Sequence, residues 1–399
     1  MKYVDLLLHS MLDDDLYKFT MGQVVFHNFP NAIVTYEFFN RGKTQFPPGF
    51  GDELQNQVNR MRFLHMRPSD ESFMNSLPYF RRTYVEWLYN YRMDPTEVII
   101  KQIGGDLKIN IRGYWYRTIY WEVKLMAIIS ELYFRMTGQQ PDSEWVNRLK
   151  VKLQLLKDNE CDVMEFGTRR RFSYQVQREV LCRGKEMGAL IGTSNMALAQ
   201  ETGLTPMGTS AHEAVMAMSA LVGPRNANTE WLSTWFDFYG GQLGIALTDT
   251  YTTDVFLKNF GLYFTRMYDG VRQDSGNPYE WANRKMFPHY EYLGISAKDK
   301  KFVFSDNLKI GPASELTVGN SFNYVALSNA YKGKCRPVGG IGTSLTNDVG
   351  VTPLNMVIKM TSVDFGGGAA PVVKLSDELG KNTGDADTVL NVKRELGIS

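Results

Sequence analysis

The chain predicts an α/β fold: an irregular barrel of parallel strands, with an N-terminal α/β domain in front of it. Three observations carry this expectation. From about residue 160, short apolar segments alternate with helical stretches, and each segment ends in small or polar residues. Parallel strands that feed helices read this way. Such segments recur near seven times, as CDVMEFG, ALIGTSN, TPMGTSAHE, GIALTDTY, GLYFTRMYDGVRQDSG, KFVFSDN and CRPVGGIGTS, which favours an irregular barrel over a doubly wound sheet. Residues before about 135 mix helix and strand signals without that alternation.

Taken in order, NAIVTYEFFNRG reads as a strand ending at a turn and RTYVEWLYNYR as an aromatic helix. TEVIIKQIGGDLKINIRGYW is a hairpin with Gly104 and Gly105 at its turn. YWEVKLMAIISELYFRM carries apolar residues at helical spacing. The polar break TGQQPDSEW marks a boundary, and EWVNRLKVKLQLLKD is an amphipathic helix beyond it. The expected domains are residues 1–140, joined by 350–399, and a barrel over 155–349 that holds the active site. Within 350–399, a β-hairpin forms around the turn DFGGGAA and returns to the N-terminal domain.

The 399 residues are 43% apolar and 22% charged, a soluble globular balance. With 44 basic against 43 acidic residues, a broad polyanion-binding surface is disfavoured, so no nucleic-acid partner is expected. Three scattered cysteines, Cys161, Cys182 and Cys335, form no CxxC pair and read as reduced thiols of a cytoplasmic protein. No signal-peptide pattern and no long apolar run is present, so no membrane partner is expected either.

In a parallel barrel, chemistry collects at the C-terminal ends of the strands. Those ends offer Glu165 and Arg169, Ser194 and Asn195, His212, Asp249, Arg272 and Asp274, Asp306 and Asn307, then Gly342 and Thr343. None carries a Lys, which argues against a Schiff-base aldolase, and His is too sparse for a His-rich metal site. The carboxylates and arginines suit a magnesium-bound phosphosugar. Gly339, Gly340 and Gly342, followed by Thr343, Ser344 and Thr346, form a phosphate cradle of backbone N–H groups and hydroxyls. In EFGTRRRF, one arginine of 169–171 turns inward to fork onto a carboxylate or phosphate, and Phe166 is placed to stack on an aromatic ring. Ser210 and Glu213 have capping-box spacing, which would make Ser210 the N-cap and put His212 in the first helical turn. The helix dipole there favours a neutral, nucleophilic imidazole. In VRQDSGNP, Arg272 and Asp274 share one strand face, as a ribose or metal contact with its counter-charge.

At these motifs the sequence resembles the bacterial, ATP-coupled nicotinate phosphoribosyltransferases, a ligase-class family of the type II phosphoribosyltransferase fold. The likeness runs through DDDLYKFTM, YEFFNRG, YWEVKLMAIISE, EFGTRR, LIGTSN, GTSAHE, LTDTY, VRQDSGNP, FSDNL, GIGTSLTND and VVKLSD in the same order. It implies a homodimer with shared active sites. The implied reaction joins nicotinate to phosphoribosyl pyrophosphate, giving nicotinate mononucleotide and pyrophosphate, the first step of NAD salvage from nicotinate. ATP hydrolysis drives it through a phosphohistidine, with Mg2+ expected to be held largely by pyrophosphate oxygens and by few protein carboxylates. The resemblance assigns the phosphohistidine to His212 and ring stacking to Phe166. It assigns base and phosphate contact to Arg169, by register over Arg170. Tyr17 and Arg41 would reach in from the partner subunit. Arg272 and Asp274 would lie near base and ribose, Asp249 would be an acidic site position, and Gly342 with Thr343 would hold the 5-phosphate.

Four rival readings stand beside this one, of which a quinolinate phosphoribosyltransferase is disfavoured because a decarboxylating site should show more basic residues and the string match is weaker. A nicotinamide phosphoribosyltransferase would carry an Asp at the position of Ser194, where a nicotinate carboxylate would be repelled. A non-catalytic phosphosugar-binding barrel would lack a working His212 or Arg272–Asp274 pair. A barrel isomerase would need a general base opposite the phosphate site, for which Glu165 is the candidate.

Overall fold

The computed structural model describes residues 5–378 and 381–398. The chain divides into two compact units. The first comprises Met1–Gln154, Met164–Gly208 and Ile341–Lys359, and the second comprises Leu155–Val163, Thr209–Gly340 and Met360–Ser399.

The expected N-terminal elements form where the sequence places them. β1 (Ile33–Phe39) pairs with β3 (Asp106–Tyr114), and β2 (Val98–Ile103) pairs with β3 through the Gly104–Gly105 loop. Gly104 has a φ of 59°, the positive value that a two-residue hairpin loop requires at its first position. The helix Trp121–Met136 is buried on nearly every side, as its all-round apolar sequence demands. Its buried polar groups are each paired. Glu122 meets Lys18 at 2.6 Å, Lys124 meets Asp14 at 2.5 Å, and Ser130 donates to the Arg171 carbonyl at 2.7 Å.

The seven apolar segments from residue 160 onward become seven strands of one sheet. They are β4 (Val163–Glu165), β5 (Gly192–Thr193), β6 (Thr205–Pro206), β7 (Ile245–Leu247), β8 (Gly270–Gln273), β9 (Lys301–Phe304) and, after a small sheet made by β10 (Leu308–Lys309), β11 (Thr317–Val318) and β12 (Ser321–Asn323), β13 (Arg336–Ile341). The order is β6-β5-β4-β13-β9-β8-β7, and the pairs β4–β5, β5–β6, β7–β8, β8–β9 and β9–β13 are all parallel. This curled sheet is the irregular α/β barrel expected from the sequence. β14 (Val357–Asp364) and β15 (Ala370–Pro371) form the C-terminal hairpin, and β14 lies next to β1 in the sheet β15-β14-β1-β3-β2.

One local expectation fails. Ser210 does not cap the helix His212–Val222; Ala211 is the N-cap and makes no side-chain cap bond. The Ser210 hydroxyl instead accepts the indole N–H of Trp231 at 2.8 Å, and a buried indole donor outcompetes a local backbone partner. Among the described residues no helix is long and apolar enough to cross a membrane.

Candidate active site

In the first unit, the strand ends of β4 and β5 hold a buried polar cluster against the segment Asp13–Lys18. Ser194 donates from Oγ to Asp15 Oδ1 at 2.7 Å, and its carbonyl accepts from Leu16 N at 2.6 Å. Asn195 donates to Asp13 Oδ1 at 2.8 Å. Asp13 also takes both ends of the Arg171 guanidinium, at 2.7 and 2.8 Å. Arg171 is therefore a buried structural residue, although the sequence reading does not separate it from its neighbours. Arg169 is partly exposed, with Nη1 3.7 Å from Glu122 Oε1. Burial alone would raise Glu122; Lys18, Lys359 and Arg169 together hold it down to about 2.

Phe166 follows β4 and donates its backbone N–H to the Ile341 carbonyl at 2.8 Å, while the Gly167 N–H is taken by the Glu165 carboxylate. A Cβ on Gly342 would stand 3.0 Å from the Phe166 carbonyl, so glycine lets the ring-bearing strand end lie against the turn after β13. That turn continues into the short helix Thr343–Thr346, with the Leu345 and Thr346 N–H groups spent on the Gly342 carbonyl. Tyr17 is buried, and a Cβ on Gly208 would lie 3.4 Å from its backbone N and 3.6 Å from the Phe166 ring. Tyr17, Phe166, Arg169, Ser194, Gly342 and Thr343 thus belong to this unit. Arg41 lies in it too, on the exposed turn after β1.

The second unit gathers His212, Asp249, Arg272 and Asp274. His212 occupies the first position of its helix and is 5% exposed. Its Nε2 lies 2.9 Å from Asp274 Oδ2, and its Nδ1 lies 3.0 Å from Thr250 Oγ1. A carboxylate only accepts, so the ring hydrogen sits on Nε2 and Nδ1 keeps the lone pair, facing the Thr250 hydroxyl. Burial, reinforced by the Lys374 ammonium, pushes the imidazole down to about 4. Burial alone would raise Asp274, but Arg272 and the His212 hydrogen bond hold it well below the usual carboxylate range. Arg272 Nη2 is 3.3 Å from Asp274 Oδ1, and Arg272 Nε donates to Ser305 Oγ at 3.1 Å. Asp249 accepts from Ser275 Oγ at 2.5 Å and pairs with Lys374 Nζ at 3.3 Å.

The pairing that Arg272 and Asp274 were expected to make is present, and His212 is bound to it. Donor atoms of His212, Asp249 and Asp274 all lie within 4.8 Å of one another, close enough to hold a cation. Sequence reasoning missed Thr250, Ser305 and Lys374. No strand end carries a Lys, yet one reaches the site from the segment after β15. The string VVKLSD was the available signal, but nothing local ties its Lys to a residue 125 positions earlier.

Residues 161–399 match the model of the nicotinate phosphoribosyltransferase (NAPRTase) family, and residues 12–130 match the model of its N-terminal domain. The nicotinate phosphoribosyltransferase of Chromohalobacter salexigens is 42% identical, covering 98% of this chain and 99% of its own. That of Escherichia coli K12 is 39% identical over 94% of this chain and 92% of its own. The crystal structure of nicotinate phosphoribosyltransferase from Porphyromonas gingivalis matches with a TM-score of 0.92 at 35% identity, covering 98% of this chain and 100% of that one. The chain belongs to the nicotinate phosphoribosyltransferase family.

Proposed function

We propose that the protein transfers the 5-phosphoribosyl group of phosphoribosyl pyrophosphate to nicotinate, coupled to ATP hydrolysis through a phosphohistidine at His212. The observation that carries the coupling is the His212 geometry. The imidazole is neutral, it is fixed by Asp274 on one nitrogen, and it presents a lone pair on the other at a helix N-terminus. In this reading Nδ1 attacks the γ-phosphorus of ATP, a P–N bond forms, and the bond to the bridging oxygen breaks to release ADP. The Thr250 hydroxyl must turn away for this to occur. Asp274 stabilises the positive ring that develops, as an orienting carboxylate does for a catalytic imidazole. Water later hydrolyses the P–N bond to give phosphate.

The transfer itself has an oxocarbenium-like transition state, so positioning and charge neutralisation carry it rather than an enzyme nucleophile on the sugar. Phe166 would stack on the pyridine ring, Arg169 would meet its carboxylate, and the Gly342–Thr343 turn would hold the 5-phosphate. Tyr17, buried near Phe166 of its own chain, would line the base site from within the subunit instead of from the partner, and Arg41 of a partner subunit would complete the site of a homodimer in the cytoplasm. Asp249 Oδ1 is buried and accepts no hydrogen bond from any described residue, a donor that fits a hard cation. Asp249 Oδ1 would therefore be the protein's contact to a Mg2+ held mainly by phosphate oxygens, which when bound supplies positive charge to those oxygens.

The test is an assay of mononucleotide and pyrophosphate formation from phosphoribosyl pyrophosphate, ATP and either base. Nicotinate is expected to be turned over at least tenfold better than nicotinamide. Comparable turnover of the two would overturn the base assignment, and no product from either would overturn the transferase.

A further inference from the structure

The segment after β15 reaches the site through several separate bonds, all within the second unit. Leu375 N donates to the Thr250 carbonyl at 2.8 Å, and Thr250 is the residue whose hydroxyl faces His212 Nδ1. Asp377 N donates to Ser275 Oγ at 3.0 Å, and that hydroxyl in turn donates to Asp249 at 2.5 Å. The Asp377 carboxylate accepts from Thr253 N at 2.8 Å and from Thr253 Oγ1 at 2.5 Å. On its other side, Lys374 exchanges two backbone bonds with Thr383, at 3.0 and 2.9 Å. Two non-glycine residues in these paired stretches, Thr252 and Ser376, have φ values of 74° and 77°. Such a conformation is costly, most of all for β-branched Thr, and persists only where the surroundings over-determine it.

This clasp delivers one cation. Lys374 is 8% exposed, and its Nζ lies 3.3 Å from Asp249 Oδ2. Asp249 Oδ1 in turn lies 3.9 Å from His212 Nε2. The cluster around the neutral imidazole therefore holds two carboxylates and two cations. Arg272 balances Asp274, and Lys374 balances Asp249. A phosphoryl group on His212 adds between one and two negative charges to this largely buried cluster. If the ammonium were absent, that group would share the cluster with an Asp249 carboxylate, 3.9 Å from the other ring nitrogen, left without its counter-charge, and like charges in a low-dielectric site oppose one another.

We propose that Lys374 is a positioning cation for the phosphorylated state: by neutralising Asp249 through the clasp, it makes a phosphoryl group on His212 tolerable. The inference rests on the phosphohistidine reading and deepens it, because it names the second of two ion pairs on which that state depends.

The experiment measures acid-labile phosphate on the full-length protein after incubation with γ-labelled ATP and magnesium. Wild type is compared with Lys374→Gln, Lys374→Met and Lys374→Arg, with folding checked by circular dichroism. Lys374→Gln can keep a hydrogen bond to Asp249 but removes the charge, Lys374→Met keeps only the length of the stem, and Lys374→Arg keeps the charge. Label on the folded neutral variants is expected to fall at least tenfold, and Lys374→Arg to recover to within threefold of wild type. A loss in all three variants would mean that Lys374 matters for its shape and would overturn the inference. Equal labelling of wild type and either neutral variant would overturn it as well. Absence of label on wild type would instead sink the phosphohistidine reading, and the inference with it.

Discussion

Replacing Glu165 by Gln should change how the stability of the protein depends on pH. Glu165 is fully buried at the end of β4. Its carboxyl accepts from the Gly167 N–H, from Gln177 Nε2 at 3.0 Å and from Thr193 Oγ1 at 2.6 Å, and no described cation pairs with it. Burial lifts it from the ordinary 4.5 to about 7, more than the three donors lower it. The folded state thus holds this proton to higher pH than the unfolded chain does. The stabilisation is complete below the unfolded value and is lost as pH rises through about 7. Between pH 5 and pH 8 the loss from this one group is about 2.5 kcal/mol, at about 1.4 kcal/mol per tenfold change in proton affinity. Other titrating groups cancel when wild type and Glu165→Gln are compared at each pH. The assay is urea unfolding of both proteins at pH 5 and pH 8 and at fixed protein concentration, since an oligomer's midpoint moves with concentration. The variant should gain about 2.5 kcal/mol on wild type in going from pH 5 to pH 8, whatever its absolute stability. A stability gap that is the same at both pH values would refute the reasoning.

Two other substitutions follow from the geometry. In Gly270→Ala, the new Cβ would stand 2.0 Å from the Lys301 carbonyl of the adjacent strand, so β8 and β9 must part. A loss of at least about 3 kcal/mol in an unfolding titration is expected, and a loss below about 1 kcal/mol would contradict that register. Phe166→Leu keeps an apolar side chain but removes the ring face. In steady-state kinetics the KM for nicotinate should rise about two- to thirteen-fold, from about 0.5–1.5 kcal/mol of lost stacking, while the unfolding midpoint stays in place.

The seven strands were legible because each short apolar stretch runs into small or polar residues, and buried parallel strands impose both features at once. The gathering of His212 with Asp274 was half legible: both stand at expected strand ends, but a hydrogen bond across 62 residues has no local signature. The N-cap assignment failed because spacing alone cannot show that Trp231 claims the Ser210 hydroxyl. Lys374 was invisible for a related reason. It arrives on an extended segment outside the repeating pattern, and its partner Asp249 is fixed only by the fold. Arg171 illustrates the opposite limit: within Arg169–Arg171 the sequence shows three equal cations, and only the buried Asp13 carboxylate distinguishes one of them.

The central claim is that His212 carries the phosphoryl group that couples ATP to mononucleotide synthesis. The most direct measurement is the location of that group, by incubating the protein with γ-labelled ATP and magnesium and mapping the label to a peptide under alkaline conditions. The account predicts acid-labile, alkali-stable label on the peptide containing His212, its loss in His212→Asn, and loss of ATP stimulation in the same variant. Label that persists in His212→Asn, or ATP stimulation without any label, would contradict it.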